Sequence, residues 1–320
     1  MTGRGKRKEN VMERFPTRIL LATDGSECGE SAGRVAVDLA NRSGAELDVV
    51  HAFEFVPPRE FAGVALRLRS PAEFARQGRR LLDEQVGRIG EMGGEVAAAR
   101  LRMGSPAEQI LCEAEEADAD LLVVGRRGLG GVKRLLMGSV SEGVVQHARC
   151  PVLVVCGDVW PPARVVIADD SSEDARRAGE LAAGISSLFG AEGVLVQVYP
   201  RVLRSSQEMS TLEARIVDHA LREAESELRS RAEELAPVLG SSPDVKLLVD
   251  VAAEGADGVA LAIIEEAAGT GFPSLISVGS RGLGALQRAR VGSVSTKVVR
   301  AAEGPVLIYP HACADSEGTN

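Results

Sequence analysis

Aromatic side chains are scarce: seven Phe, two Tyr and one Trp, 3% of 320 residues. The core must therefore come from Val, Leu, Ile and Ala, and stacking platforms for single-stranded nucleic acid are disfavoured. Cysteines are few, odd in number and scattered (Cys28, Cys112, Cys150, Cys156 and Cys313), with no C-x2-C pair. That pattern suits packed or free thiols in a reducing, cytoplasmic compartment. The four histidines (His51, His147, His219 and His311) lack metal-ligand spacing, so no protein-held metal is expected. Long apolar runs are missing too. The longest uncharged stretch, Ala267 to Ser280, has 14 residues and includes Gly, Pro, Ser and Thr. A membrane span needs about 18 or more apolar residues. The opening MTGRGKRKEN is basic, but no apolar segment follows it, so a secretory signal is not expected. Excess positive charge is also absent: 37 Lys and Arg against 46 Asp and Glu give a net charge of −9. Broad binding along a phosphate backbone needs the opposite balance.

What is present is a duplication. Residues 121–155, LLVVGRRGLGGVKRLLMGSVSEGVVQHARCPVLVV, align with 275–309, LISVGSRGLGALQRARVGSVSTKVVRAAEGPVLIY, at a constant offset of 154 with 18 identities in 35 positions. RILLATDGSE from Arg18 pairs with RVVIADDSSE from Arg164 at an offset of 146, so the second copy holds eight extra residues before its Gly-rich loop. The expected organisation is an N-terminal extension (1–15), a first domain (16–157), a Pro-containing linker (158–163), a second domain (164–310) and a polar tail (311–320).

Each copy alternates short β-rich runs with helical patterns. In the first copy, strands are expected at 19–23, 46–53, 95–103, 120–125 and 151–155. Apolar residues at Ala32, Val35, Ala36, Leu39 and Ala40 mark one helix face. Ser70-Pro71-Ala72-Glu73 and Ser105-Pro106-Ala107-Glu108 read as helix starts. Gly138-Ser139 opens a last helix with Val140, Val144 and Val145 turned inward. Continuous Val/Leu/Ile strands between helices imply an α/β fold with a parallel sheet covered on both faces, which binds ligands at the carboxyl ends of its strands.

The loop after the fourth strand carries the chemistry. It reads Gly125-Arg126-Arg127-Gly128, nine residues, Gly138-Ser139, and again Gly279-Ser280-Arg281-Gly282, nine residues, Gly292-Ser293. Glycines allow close approach of the backbone to a ligand. The start of a helix offers unpaired N–H groups and a favourable dipole for phosphate. Ser139 and Ser141 add hydroxyls, and Arg126, Arg127, Lys133 and Arg134 add positive charge. The alternative is that the glycines only shape a turn. Repetition of the same spacing and the same GSVS favours binding. Neither loop is a Walker A or a G-x-G-x-x-G sequence, which argues against P-loop NTPase chemistry and a dinucleotide fold.

These motifs, with the opening T-D-G-S and the closing P-V-L-V-V, resemble the universal stress protein family in its tandem form, over about residues 16–157 and 163–310. The resemblance implies two copies of a five-stranded parallel-sheet α/β sandwich, of the adenine nucleotide α-hydrolase-like kind. It also implies ATP in the glycine loop, with Mg²⁺ held through the phosphates. Carried over residue by residue, the implied first site is Asp24 beside the adenosine, the backbone of Ala52 at adenine, and Gly125, Arg126, Arg127, Gly128, Gly138, Ser139, Val140 and Ser141 around phosphate and ribose. The second is Asp170, Val198, Gly279, Ser280, Arg281, Gly282, Gly292, Ser293, Val294 and Ser295. Thr23, Gly25 and His51 become Asp169, Ser171 and Gln197, and the second loop has three basic residues (Arg281, Arg288 and Arg290) where the first has four. An extra carboxylate and one fewer cation predict weaker binding in the second site.

Other candidates are plainer. Asp24 serves equally well as a turn or helix cap. His51 follows Val50 on a buried strand and reads as a core histidine, and Cys150 as packing. Cys28, near a helix start, carries a secondary redox reading. Arg4, Lys6, Arg7 and Lys8 read as a solvated tail. The runs PVLVV and PVLIY are expected to pair as sheet edges, Val152–Val155 with Val306–Tyr309, giving an intramolecular pseudo-dimer with further homodimerisation open. The resemblance implies an ATP-binding stress-response regulator, and since no residue stands out as a general base, signalling by occupancy rather than turnover is expected. A slow Mg-dependent ATPase and a non-nucleotide partner-binding protein are the alternatives.

Overall fold

A computed structural model describes residues 15–54, 71–127, 137–199, 211–249, 255–269, 271, 273–281 and 291–311. They divide into two compact units, Pro16–Cys156 and Gly157 onward, with Phe15 belonging to the second.

The first unit runs β1 (Arg18–Ala22), α1 (Glu27–Ser43), β2 (Glu46–Phe53), α2 (Pro71–Glu91), β3 (Ala98–Met103), α3 (Pro106–Glu116), β4 (Leu121–Gly125), α4 (Ser139–His147) and β5 (Val152–Val155). Its strands lie in the order β3-β2-β1-β4-β5. All four pairings are parallel, with Leu20 opposite Asp48 on one side and Leu122 on the other. The chain builds outward from β1 through β2 to β3, then crosses back to place β4 on the other side. The two directions part between β1 and β4, the switch point beyond whose strand ends sheets of this kind form their ligand crevice.

The second unit repeats this with β6 (Arg164–Ala168), α5 (Glu173–Phe189), β7 (Glu192–Tyr199), α6 (Thr211–Leu239), β8 (Asp244–Val249), α7 (Gly255–Ala268), β9 (Ser274–Gly279), α8 (Ser293–Ala301) and β10 (Val306–Tyr309). Its order is β8-β7-β6-β9-β10, again parallel throughout. The 146-residue offset still holds between Ala98 and Asp244, the first residues of β3 and β8. The eight additional residues therefore fall between β8 and β9.

Central strands are buried on both faces: Ile19, Leu20, Leu121 and Leu122 in one unit, Val165, Val166, Leu275 and Leu307 in the other. Each such side chain contributes about 1.5–3 kcal/mol of transfer free energy. Helix α1 turns Ala32, Val35, Ala36 and Leu39 onto the sheet, as its periodicity requires. Ser26 caps it by accepting from Gly29 N, and Ser172 caps α5 by accepting from Ala175 N. No helix among the described residues is long and apolar enough to cross a membrane.

Three local expectations shift. The strand expected from Glu95 begins at Ala98, because Gly93 N and Gly94 N still bond back to Gly90 O and Ile89 O and close the end of α2. Phe15, assigned to the polar extension, is buried and packs its ring on Gly184 of α5. His311, assigned to the tail, reaches the buried Asp174 with Nδ1 3.2 Å from Oδ1. Ser70 and Cys313 lie outside the described residues.

Candidate functional site

At the switch point of the first unit, β1 ends in Thr23 and Asp24. Asp24 Oδ1 accepts from Ser26 N (3.0 Å) and lies 2.6 Å from the Ser26 hydroxyl, a turn that leads into the N-cap of α1. This is the local turn role open to Asp24 from the sequence, while Ser26 is the cap. Ser26 Oγ also lies 3.2 Å from Arg127 O, so one hydroxyl spans the crevice between the β1 and β4 loops. In the second unit Ser172 N donates to Asp170 Oδ1 (3.1 Å), and Ser172 Oγ donates to Arg281 O (3.1 Å).

Beyond β4 the path is closed at both ends of the glycine segment. Gly125 passes so near α1 that a Cβ would sit 2.7 Å from the carbonyl carbon and oxygen of Cys28. Gly279 approaches α5 in the same way, with Ala175 N at 2.6 Å from a built Cβ. These two glycines are therefore required by packing, whatever the loop binds. Gly138 N donates to Arg126 O (2.9 Å), and Gly292 N to Ser280 O (2.5 Å), which sets the last helix beside the strand end. Ser141 Oγ donates to Gly125 O (2.7 Å), and Ser295 Oγ to Gly279 O (2.6 Å). Those hydroxyls are committed to the scaffold.

The open groups are the helix-start amides. Neither α4 nor α8 has a side-chain N-cap, in contrast to α1 and α5. The N–H groups of Ser139, Val140 and Ser141, and of Ser293, Val294 and Ser295, have no bond partner among the described residues. Ser139 and Ser293 are exposed, and Val140 and Val294 half-buried. Such a terminus carries partial positive charge and suits an anion. Ala52 and Val198 sit half-buried near the carboxyl ends of β2 and β7, opposite Arg102 and Leu248. Arg126 is buried and Arg127 half-buried beside Ser26. Gly128, Gly282, Lys133, Arg134, Arg288 and Arg290 lie outside the described residues.

A family profile described as "Universal stress protein family" matches residues 16–155 and 163–310. The chain belongs to the universal stress protein family. A universal stress protein of Thermus aquaticus is 40% identical over 137 residues, covering 43% of this chain and 96% of that protein. The crystal structure of a universal stress protein from Archaeoglobus fulgidus superposes with a TM-score of 0.60 at 21% identity, covering 92% of this chain and 98% of that one. A universal stress protein solved in complex with cAMP matches 44% of this chain and 96% of its own, at 26% identity and a TM-score of 0.34.

The two universal stress protein units differ where the sequence put an extra carboxylate. Thr23 Oγ1 donates to Gln85 Oε1 (3.3 Å) under the first crevice. The equivalent residues of the second unit, 146 positions on, are Asp169 and Arg231, with Arg231 Nε 3.2 Å from Asp169 Oδ2. Asp169 is buried, and its other oxygen accepts from Ser171 N (2.6 Å). Its charge is thus matched inside the fold by Arg231. His51 is buried, and its Nδ1 lies 2.8 Å from Thr23 O, so it carries its proton on Nδ1 and supports the β1 turn.

Several contributors were missed from the sequence. Ser26 and Ser172 escaped because a cap and an inter-loop bridge need both loops in space. The Gln85 and Arg231 swap was detectable, since extending the 146-residue offset to the second helix aligns it with Thr23 and Asp169. Asp174, which stands where the first unit has Cys28, was missed although the same alignment shows it.

Proposed function

We propose that the chain is an ATP-binding regulator of the stress response, with the triphosphate gripped by main-chain amides at the start of α4 and of α8. One observation carries this reading: in both units the glycine loop ends in a helix whose first amides have no cap among the described residues, at the switch point of a parallel sheet. The second unit adds support. Arg281 Nε is buried without a hydrogen-bond partner among the described residues. A buried N–H left unpaired costs about 1–3 kcal/mol, a cost that an arriving phosphate oxygen would remove.

Adenine would lie toward Ala52 and Val198, with Asp24 and Asp170 beside the ribose. Mg²⁺ would be held by phosphate oxygens and water. Among the described residues, Ser26, Ser172, Ser141 and Ser295 are committed to caps and scaffold bonds, and none of them is set as a general base. Occupancy rather than turnover then carries the signal. The test is calorimetric titration with Mg-ATP and with cAMP, which lacks the β- and γ-phosphates. Wild type should take up ATP in preference to cAMP, and Gly138→Val and Gly292→Val should each remove one contribution. Absence of any heat or thermal shift at saturating ATP would overturn the proposal. Phosphate release well above background would replace it with the ATPase reading.

A further inference from the structure

We infer that Asp174 is a built-in anion that occupies part of the phosphate cradle of the second unit and makes the two sites unequal. This rests on the nucleotide-binding reading above and adds to it a residue that decides which loop fills first.

Asp174 is the second residue of α5, and its side chain is only 6% exposed. Its Oδ2 accepts from the Ser280 hydroxyl (3.0 Å) and from the backbone N–H of Arg281 (3.3 Å). Both donors belong to the glycine segment 279–281. Its Oδ1 faces His311 Nδ1 at 3.2 Å. A carboxylate thus takes up one main-chain amide and one hydroxyl of the loop that would otherwise meet phosphate. In the first unit the matching position is Cys28, which brings no charge of this kind, and the residue matching Ser280 is Arg126. One cradle therefore carries a cation where the other carries a hydroxyl bound to a carboxylate.

An acidic residue in the first turn of a helix often only complements the dipole. That does not account for Asp174. Glu173, its exposed neighbour, already fills that role, whereas Asp174 is buried and bonded across to a different loop. The buried Nε of Arg281, without a hydrogen-bond partner among the described residues, belongs to the same residue whose backbone N–H Asp174 takes up. The second loop retains a cation for phosphate, but a fixed carboxylate competes for its amide and repels the ligand.

The prediction is one tight ATP equivalent per chain, in the first unit. Asp174→Asn keeps the shape and the acceptor oxygen but removes the charge. It should tighten the second site by about tenfold, the effect of one unit charge several ångströms away in a partly screened crevice, so that the apparent stoichiometry rises toward two. Cys28→Asp should weaken the first site by a similar factor. Calorimetry with Mg-ATP reads both, with circular dichroism confirming the fold. If wild type shows two equal sites, or a folded Asp174→Asn still binds one equivalent, the inference is wrong and the nucleotide reading stands. If wild type binds none, the nucleotide reading itself has failed. Should Asp174→Asn not fold, Cys28→Asp decides alone: unchanged affinity in the first site overturns the inference.

Discussion

The Asp169–Arg231 pair allows a sharp test of how the second copy diverged. Arg231→Gln strands a carboxylate that is 4% exposed and was 3.2 Å from its counter-ion. At an effective dielectric of about 20, a pair at that distance has roughly 5 kcal/mol of gross attraction. Removing one partner of a buried pair costs about 3–5 kcal/mol, because the remaining charge has no compensation. For a unit of this size each kcal/mol lowers Tm by about 2–4 °C, so the transition of the second unit should fall by about 6–20 °C. The second change, Asp169→Thr, should restore most of the loss. It recreates the Thr–Gln pair that the first unit already uses at 3.3 Å between Thr23 Oγ1 and Gln85 Oε1. Scanning calorimetry on wild type, the two single variants and the double variant gives the coupling directly. Additive effects, or a double variant less stable than Arg231→Gln, would show that the pair is not a unit and that the Asp169 charge is handled some other way.

Gly125→Ala should destabilise the first unit by about 1–3 kcal/mol without any nucleotide present, since its Cβ meets the Cys28 backbone at 2.7 Å. A variant with wild-type melting that had lost only ATP binding would contradict the packing role. Glu266 is pushed up by burial, but hydrogen bonds from Lys246 and Arg164 outweigh this and hold its carboxyl below the usual range. The stability it adds is therefore present above the ordinary glutamate pKa and lost as pH falls through the lower folded value. Glu266→Gln, leaving the buried Arg164 short of its 2.6 Å partner, should cost about 3 kcal/mol at neutral pH and less in acid; equal loss at both would refute the assignment. Glu173, held at about 2 by hydrogen bonds from Arg176 and Arg177 that outweigh burial, should titrate by NMR well below an ordinary glutamate, and Arg176→Ala should raise it.

Two sources of information can be separated in this protein. The parallel α/β architecture was legible because uninterrupted apolar strands such as Leu20–Leu21 and Leu121–Val124 must be covered on both faces, and amphipathic helices of matching period stand between them. The duplication and the glycine spacing were legible because they are properties of order along the chain. Neither revealed that Gly125 and Gly279 are set by packing on α1 and α5, that Ser26 and Ser172 tie one loop to the other, or that Asp169 is neutralised by Arg231. Each of these joins residues distant in sequence, 62 positions apart for Asp169 and Arg231 and 101 for Ser26 and Arg127. A side chain's role there depends on which atom it meets, and only the folding of β1 beside β4 and of β6 beside β9 brings those atoms within reach.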